Sequence, residues 1–258
     1  MFCFISFTKI FDKLSYYVVS NLSLFPICMI DTTILSKQME LAGPNSLSLA
    51  MTTAFFVSMV FTLQVVKEML YLNTTSIIGA ILTLAFIREL SPVLTSVILV
   101  GRVASAYTAE LATMKVTDQL NALYLLESKP LAYLVLPRVI AFTCMLPILN
   151  MISFITSLAS SIFVCFIFYK IDPSLFILSA ISAISLNDVI KSSLKMFIFG
   201  IIVSLISCFL GLSAHAGAYG VGRSTTNAVV CCLLAVFIID FVLSSVMFGY
   251  MGSSIRSF

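Results

Sequence analysis

Charged residues are scarce in this sequence. Only 10% of its 258 residues are Asp, Glu, Lys or Arg, 60% are hydrophobic, and the mean hydropathy is +1.14. Soluble domains carry about a quarter charged residues, so this composition indicates a polytopic membrane protein. At about 20 residues per crossing, the length allows about five or six helices in one domain. A net charge of +3 without basic runs gives no support for a nucleic-acid partner.

Metal ligands and catalytic groups are scarce as well. The chain has one histidine, His215, which leaves most metal sites out of reach. Its seven cysteines lie mostly in apolar runs without C-x-x-C spacing, so neither a disulfide framework nor a zinc site is expected. Serine, cysteine and histidine show no nucleophile–base spacing, and the acid pair Glu89 and Asp240 is a weak basis for a protease. We therefore predict a non-enzymatic protein with no cofactor and no metal.

Residues 1–45 are expected to form an N-terminal interfacial segment, ahead of a transmembrane domain over residues 46–258. Phe4, Phe7, Phe11, Leu14 and Val18 recur at spacings of three and four. Polar residues fall largely between them, which is typical of a helix that lies in a membrane interface. The alternative is a poorly ordered terminus.

Five apolar stretches predict membrane-spanning helices, and the expected fold class is an all-α polytopic membrane protein. They run from about Leu47 to Leu70, Ile77 to Met114, Leu131 to Tyr169, Leu194 to Ser213 and Ala228 to Met247. Residues 174–186 are apolar but too short to span alone, so they are expected to be re-entrant or interfacial. Residues 214–224 read as a glycine-rich loop.

The second stretch is too long for a simple crossing. A straight helix over it would be about 57 Å long, nearly twice the roughly 30 Å hydrocarbon core. Pro92 predicts a break, because proline removes a backbone hydrogen bond. Beyond it, small residues beginning at Gly101 predict a surface for close helix packing.

Four charges lie within this second stretch. Arg88 and Glu89 are expected near the bilayer midplane, where Arg88 either pairs with another helix, with Asp240 as a candidate, or meets an anionic headgroup. Arg102 and Glu110 lie about 80° apart around the helix, so each is expected to bridge a neighbouring helix. We predict that Lys195 lies at one surface of the membrane with the loop residues. Arg88 and Arg102 are then the basic residues predicted to lie within the membrane.

Residues 115–129 are too polar for lipid and predict a short amphipathic helix at the membrane surface. Its polar residues are Lys115, Thr117, Asp118, Gln119, Asn121 and Glu127. The segment is either a docking surface or an ordinary solvated loop.

The segment from Gly217 to Ser224 is one residue from a phosphate-binding loop pattern, with Arg223 in place of lysine. Its flanks are membrane helices rather than a strand and a soluble helix, so Gly222 and its neighbours are interpreted as a tight turn. The sequence has no other phosphate loop. If the protein is part of an ATP-driven transporter, its ATPase must therefore be another polypeptide.

Several ordered motifs carry a resemblance to a known family. They are Arg88-Glu-Leu-Ser-Pro92, Gly101-Arg102, Ala109-Glu110-Leu-Ala-Thr-Met114-Lys115, Thr117-Asp-Gln-Leu120, Pro137-Arg138, Gly220-Val-Gly-Arg-Ser-Thr-Thr226, Asp240-Phe-Val-Leu and Met247-Phe-Gly249. From about residue 45 to the C-terminus, the chain resembles MlaE-type permeases of ABC transporters, in particular short permeases of algal plastids.

The resemblance implies a permease subunit that moves phospholipid between membranes as a homodimer. The implied partners are a separate ABC ATPase and an MCE-domain lipid-binding protein, in a plastid envelope or a bacterial inner membrane. In the resembling permeases, the segment that corresponds to residues 115–129 is the coupling helix. Arg88 and Glu89 are the predicted substrate-binding residues, because of their position in the second stretch and the match of guanidinium to phosphate. Structural roles are expected for Pro92, Gly101, Arg102, Glu110, Arg138, Gly222, Arg223 and Asp240. The alternatives are an ion-driven secondary transporter, a permease for another hydrophobic substrate and a membrane scaffold.

Overall fold

The structure, a computed structural model, describes residues 32–72, 74, 77–125, 130–215 and 217–248. Within these residues the chain forms helices α1 (Thr32–Ala42), α2 (Pro44–Tyr71), α3 (Ile78–Val116), α4 (Gln119–Leu125), α5 (Pro130–Tyr169), α6 (Pro173–Ala183), α7 (Leu186–Leu212) and α8 (Gly217–Phe248). The part of the chain that is described contains no strand. The interfacial helix predicted near the N-terminus lies outside the described residues.

The five predicted crossings are confirmed. By length and composition, the candidate spans are Thr32–Tyr71, Ile78–Val116, Tyr133–Tyr169, Leu186–Leu212 and Gly217–Met247. Large apolar side chains such as Phe56, Phe166 and Phe241 are exposed on these helices. An apolar exterior on long helices is what a lipid environment requires, so the chain is an all-α polytopic membrane protein.

Helices α2 and α5 pack through small residues. Every fourth residue of α2 is buried along one face, namely Ser46, Ala50, Ala54, Ser58, Thr62 and Val66. The hydroxyl of Ser58 is hydrogen-bonded to that of Ser160, and the hydroxyls of Thr62 and Ser161 lie 2.8 Å apart. Small side chains let two helices approach closely in lipid, where packing and hydrogen bonds drive association.

Pro92 does not break α3, contrary to the sequence prediction. Two π-helical turns, Phe86–Leu90 and Val100–Ala104, lie within α3. Pro92 stands in the first turn of the α-helical segment Ser91–Leu99, just after the first π turn. The missing N–H of a proline is tolerated in the first turn of an α-helical segment, so the helix continues.

The fourth crossing begins earlier than predicted. Helix α6 is too short to span and packs along the start of α3, where a side chain at Gly79 would meet the backbone of Phe176. Helix α7 then starts at Leu186, with the hydroxyl of Ser185 accepting a hydrogen bond from the amide of Asp188. This N-cap begins the helix about two turns before Leu194, and it places Lys195 inside the protein rather than in a loop.

The predicted glycine-rich loop is wrong over most of its length. Helix α8 begins at Gly217, whose φ of +66° favours glycine. A side chain at Gly220 would clash with the carbonyl oxygen of His215, so His215 lies against the first turn of α8. Gly222 and Arg223 are helical and exposed. Glycine costs a helix only about 1 kcal/mol relative to alanine, so the glycines of this segment do not prevent a helix that continues into a long apolar run. The predicted start of α8 was therefore too late.

Helices α5 and α7 make another close contact, and it is sensitive to volume. A Cβ atom at Gly200 would lie 2.8 Å from the Cα atom of Thr143. By contrast, a Cβ atom at Gly222 would meet nothing within 4 Å. We predict that Gly200→Leu destabilises the protein by about 1–3 kcal/mol, because the α5 backbone must move to admit the side chain. The measurement is thermal unfolding of the purified protein in detergent.

Gly222→Leu is the matched control, since it places the same side chain at an exposed helical glycine. Equal unfolding midpoints for the two variants would show that α5 and α7 are not in close contact.

Candidate functional site

Five ionisable side chains form two ion-pair groups where α3, α7 and α8 meet, and a hydrogen bond from Lys195 to the backbone carbonyl of Arg88 joins the two groups into one network. The five residues are Arg88, Glu89, Asp188, Lys195 and Asp240. Two positive charges thus face three carboxylates inside an apolar helix bundle. Burying ionisable groups is tolerated in a membrane protein only where they are paired or face a cavity, which makes this network the candidate functional site.

Lys195 is the centre of the network. Its side chain is 0% exposed, and Nζ lies 3.1 Å from Oε2 of Glu89 and 2.5 Å from Oδ1 of Asp240. The same nitrogen donates hydrogen bonds to Oγ of Ser244 at 2.8 Å and to the carbonyl oxygen of Arg88 at 3.2 Å. One ammonium group therefore joins α7 to both α3 and α8.

Arg88 pairs with Asp188, and not with Asp240 as the sequence suggested. Nη2 and Nε of Arg88 lie 3.0 and 3.1 Å from Oδ1 of Asp188. The other carboxylate oxygen of Asp188 accepts a hydrogen bond from Ser185 at 2.7 Å. Asp240 is held by Lys195 instead, because that lysine lies between α3 and α8.

Proline explains why the lysine reaches the backbone of α3. In an α-helix the N–H of residue 92 would donate to the carbonyl of residue 88. Pro92 has no N–H, and Lys195 donates to the Arg88 carbonyl in its place. The π turn before Pro92 and the N-cap of α7 thus set the positions of both cations.

A second polar layer lies beside the network. The hydroxyl of Ser91 donates to Oδ1 of Asn150 at 2.8 Å, and Nδ2 of Asn150 donates to the hydroxyl of Ser192 at 3.0 Å. All three residues are buried. Hydrogen bonds from one amide to α3 and α7 fix α5 against the two helices that carry most of the charges.

A separate ion pair lies near the other end of α3. Nη2 of Arg138 is 2.9 Å from Oε2 of Glu110, and the guanidinium lies 5.8 Å from the ring centroid of Tyr107. Arg138 is only 3% exposed. This pair joins α3 to α5, the two helices that flank α4.

The predicted coupling residues lie at and around α4. Thr117, Asp118, Gln119 and Asn121 are exposed, and Lys115 is partly buried. Asp118 has a φ of +57° and accepts a hydrogen bond from Nδ2 of Asn121 at 2.8 Å, which shapes the turn into α4. Leu120 is buried, so the helix is anchored on one face. Glu127 lies outside the described residues.

The remaining predicted residues lie away from the network. Gly101 and Arg102 are exposed within the second π turn of α3, and a Cβ atom at Gly101 would meet nothing within 4 Å. Gly222 and Arg223 occupy the first two turns of α8.

Sequence reasoning missed Asp188 and Lys195. A signal was present, because Asp188, Ser192 and Lys195 recur at spacings of four and three, as residues on one helix face do. Their closeness to a short polar turn favoured a loop interpretation. The pairing of Arg88 with a residue 100 positions away has no local signature.

Comparison with known proteins decides the family. The sequence profile described as Permease MlaE matches residues 35–246. The chain belongs to the MlaE permease family. It is 50% identical to the probable ABC transporter permease protein ycf63 of Pyropia yezoensis over 226 residues, which are 88% of this chain and 86% of the relative.

Two further relatives come from a cyanobacterium and a plant. The probable ABC transporter permease protein slr1045 of Synechocystis is 47% identical over 84% of this chain and 83% of its own length. Protein TRIGALACTOSYLDIACYLGLYCEROL 1, chloroplastic, of Arabidopsis thaliana is 43% identical over 86% of this chain and 63% of its own length. This permease is thus a multi-pass protein of a plastid envelope or a bacterial inner membrane, as predicted.

The network makes a prediction about stability. Lys195→Met leaves two carboxylates without their cation, so we expect it to destabilise this permease by about 3–5 kcal/mol. Replacing all three groups, in Lys195→Met with Glu89→Gln and Asp240→Asn, should recover most of that loss, because no uncompensated charge is then buried. The measurement is thermal unfolding and the yield of monodisperse protein. A triple variant no more stable than Lys195→Met would contradict the assigned ion pairs.

Proposed function

We propose that this permease is the membrane subunit of an ABC transporter that moves phospholipid between membranes, with its ATPase on a separate chain. The observation that carries the proposal is the charge network within the membrane-spanning helices. It is not sealed, since the side chains of Glu89 and Arg88 remain 45% and 25% exposed. A polar group open to the surface of apolar helices is suited to an amphipathic substrate, whose headgroup and chains need different surroundings.

The family supports ATP-driven rather than ion-driven transport, because its relatives carry the name ABC transporter permease. The Arabidopsis relative is named for trigalactosyldiacylglycerol, which is a lipid. By analogy we assign this chain a lipid substrate and favour phospholipid. The proposed assembly contains two copies of the permease, two ATPase subunits and an MCE-domain protein on the opposite side of the membrane.

The proposed ATPase contact is α4 and the residues just before it. Thr117 and Asp118 are exposed in the turn before α4, and Asn121 is exposed on α4 itself, between two membrane-spanning helices in the chain. The Glu110–Arg138 ion pair joins those two helices close to the turn. A push on α4 would therefore move the ends of α3 and α5 together.

The function is tested by extraction in mild detergent, followed by mass spectrometry of the proteins and lipids that remain bound. We expect an ABC ATPase, an MCE-domain protein and phospholipid. Reconstituted complex should transfer fluorescent phospholipid between vesicles only with ATP. Transfer that depends on an ion gradient and not on ATP would overturn the proposal.

The coupling role predicts a separation of two activities. We expect Asp118→Lys to reduce ATP-driven lipid transfer while the permease still inserts and ATP is still hydrolysed, because the charge reversal and the loss of the Asn121 hydrogen bond change only the exposed turn before α4 and not the membrane-spanning helices. Cysteines at Thr117 or Asn121 should cross-link to the ATPase. A cysteine at exposed Ser182, on α6, is the control and should give no such product. If no position from 115 to 125 cross-links, α4 is not the contact.

A role for Arg88 in substrate binding predicts a contrast between two variants. Arg88→Ala strands the Asp188 carboxylate and should lower the yield of folded protein. Arg88→Ala with Asp188→Ala removes both charges and should restore the yield. If Arg88 also meets a phosphate, the restored double variant retains less phospholipid per folded protein than the wild type. Undiminished lipid in that variant would limit Arg88 to a structural role.

A further inference from the structure

The two π-helical turns of α3 each carry one arginine. Arg88 lies in the turn Phe86–Leu90, and Arg102 lies in the turn Val100–Ala104. π-Helical turns are rare and occur frequently at functional sites. The two arginines are about 21 Å apart along the helix, so they belong to different levels of the membrane span.

The backbone of the second π turn is satisfied within the helix. The hydroxyl of Ser105 donates to the carbonyl oxygens of Gly101 and Arg102, at 2.5 and 3.2 Å, and the amide of Ser105 reaches back to Val100. In the first π turn, by contrast, Lys195 from α7 satisfies the carbonyl of Arg88. The carbonyl oxygens of Gly101 and Arg102 are therefore satisfied within α3 itself.

The two guanidinium groups have different surroundings. Arg88 is held by Asp188, and Arg138 by Glu110. Arg102 is exposed and pairs with no carboxylate among the described residues. It lies about 21 Å from the end of α3 at Val116, within the apolar span Ile78–Val116. An arginine exposed on an apolar span is costly in lipid unless a partner from outside the chain neutralises it.

The surface around Arg102 fits an amphiphile. Leu94, Ile98 and Arg102 follow one another at four-residue spacing, so they lie on one face of α3, and all are at least partly exposed. The space beside Gly101 is open. A cation that ends an apolar stripe, next to an open space, is complementary to a phosphate attached to acyl chains.

We propose that Arg102 binds the phosphate of a phospholipid whose acyl chains lie along Leu94 and Ile98. The guanidinium would donate two parallel hydrogen bonds to the phosphate oxygens, a geometry that lysine cannot reproduce. This inference rests on the proposed lipid-transport function and adds to it a headgroup site distinct from the Arg88 network.

A second copy of the chain would strengthen the site. If the α3 helices of the proposed homodimer face each other, two copies in the same membrane orientation bring equal levels of α3 side by side. The nearest acidic residues on α3, Glu89 and Glu110, lie about 20 and 12 Å from Arg102 along the axis, so a facing α3 adds a second guanidinium and no carboxylate. In the proposed homodimer, two Arg102 side chains would therefore attract one anion.

The chain contains its own control for this site. Gly222 and Arg223 repeat the Gly-Arg pair of positions 101 and 102, and both are exposed in a helix. Arg223 lies only about 9 Å from the start of α8, so it is closer to an end of its span than Arg102 is. Substitutions at the two pairs remove the same groups at different depths.

The test is photolabelling of the full-length permease, purified with its bound ATPase in lipid nanodiscs. One probe is a phosphatidylglycerol with a diazirine in its acyl chain, and the other is a diacylglycerol with the same chain and no phosphate. We expect the phosphatidylglycerol probe to label peptides around Leu94 and Ile98 more than the diacylglycerol probe does. Arg102→Gln should reduce that labelling by about tenfold, because a charge-assisted hydrogen bond is lost.

The other variants separate the site from the fold. Arg102→Lys keeps the charge and should retain an intermediate level of labelling, whereas Gly101→Leu fills the open space and should reduce labelling with Arg102 intact. Arg223→Gln and Gly222→Leu should label as the wild type does. Equal labelling of wild type and Arg102→Gln overturns the site, and so does equal labelling by the two probes.

Two further measurements distinguish a lipid phosphate from a soluble phosphate, and a failure of the Arg102 site from a failure of the proposed function. If excess inorganic phosphate abolishes the label but excess unlabelled phosphatidylglycerol does not, the site takes a soluble anion, and the lipid assignment is overturned. If the wild type transfers phospholipid with ATP but labels elsewhere, the site at Arg102 is wrong and the proposed function stands. If the wild type neither transfers nor is labelled by phospholipid, both are overturned.

Discussion

The packing of α3, α7 and α8 depends on the contacts of one buried ammonium group, that of Lys195. It meets Glu89 and the Arg88 carbonyl on α3, and Asp240 and Ser244 on α8, while its own backbone belongs to α7. A buried ammonium group is stable only if several acceptors surround it. Because these acceptors lie on α3 and α8, the packing of α7 depends on both helices. Apolar packing in a membrane discriminates weakly between helix pairings, because lipid chains are as apolar as leucine side chains. A central charge with fixed acceptors supplies that specificity.

Backbone irregularity in α3 makes this interaction possible. Pro92 removes one hydrogen-bond donor, and Arg88 and Glu89 lie in the π turn that precedes it. A regular helix would bond the Arg88 carbonyl internally and leave Lys195 one acceptor fewer. The polar serine and asparagine layer beside it, formed by Ser91, Asn150 and Ser192, then joins α5 to the same region. The π turn, Pro92 and the buried Lys195 thus occur together because the Arg88 carbonyl, left without its donor in α3, accepts a hydrogen bond from α7.

Much of the fold could be predicted from the sequence, because hydrophobic length is a local signal. The five spans and the short helix after α3 follow from runs of apolar residues and the polar residues between them. The starts of α7 and α8 could not be predicted in this way. Asp188 and Lys191 look like loop residues until the N-cap at Ser185 is known, and the glycines after Gly217 look like a turn although they continue as helix. The late predicted start of α7 also hid the partner of Arg88. Asp188 was placed in a loop, whereas it lies in the first turn of α7 and pairs with Arg88.

The geometry of α3 also bears on how ATP hydrolysis would reach the lipid in the proposed transporter. The same helix carries the network at Arg88 and ends at the turn into α4, about 42 Å away. A helix transmits displacement over such a distance only if its far end moves with its neighbour rather than bending alone. The Glu110–Arg138 pair joins α3 to α5 near that end, with the guanidinium nearly fully buried against Tyr107. Motion at α4 would thus enter the bundle as a displacement of two joined helices. The second π turn, which contains the exposed Arg102, lies on α3 between the Glu110–Arg138 pair and the charge network. A displacement of the end of α3 toward the network would therefore pass through this turn.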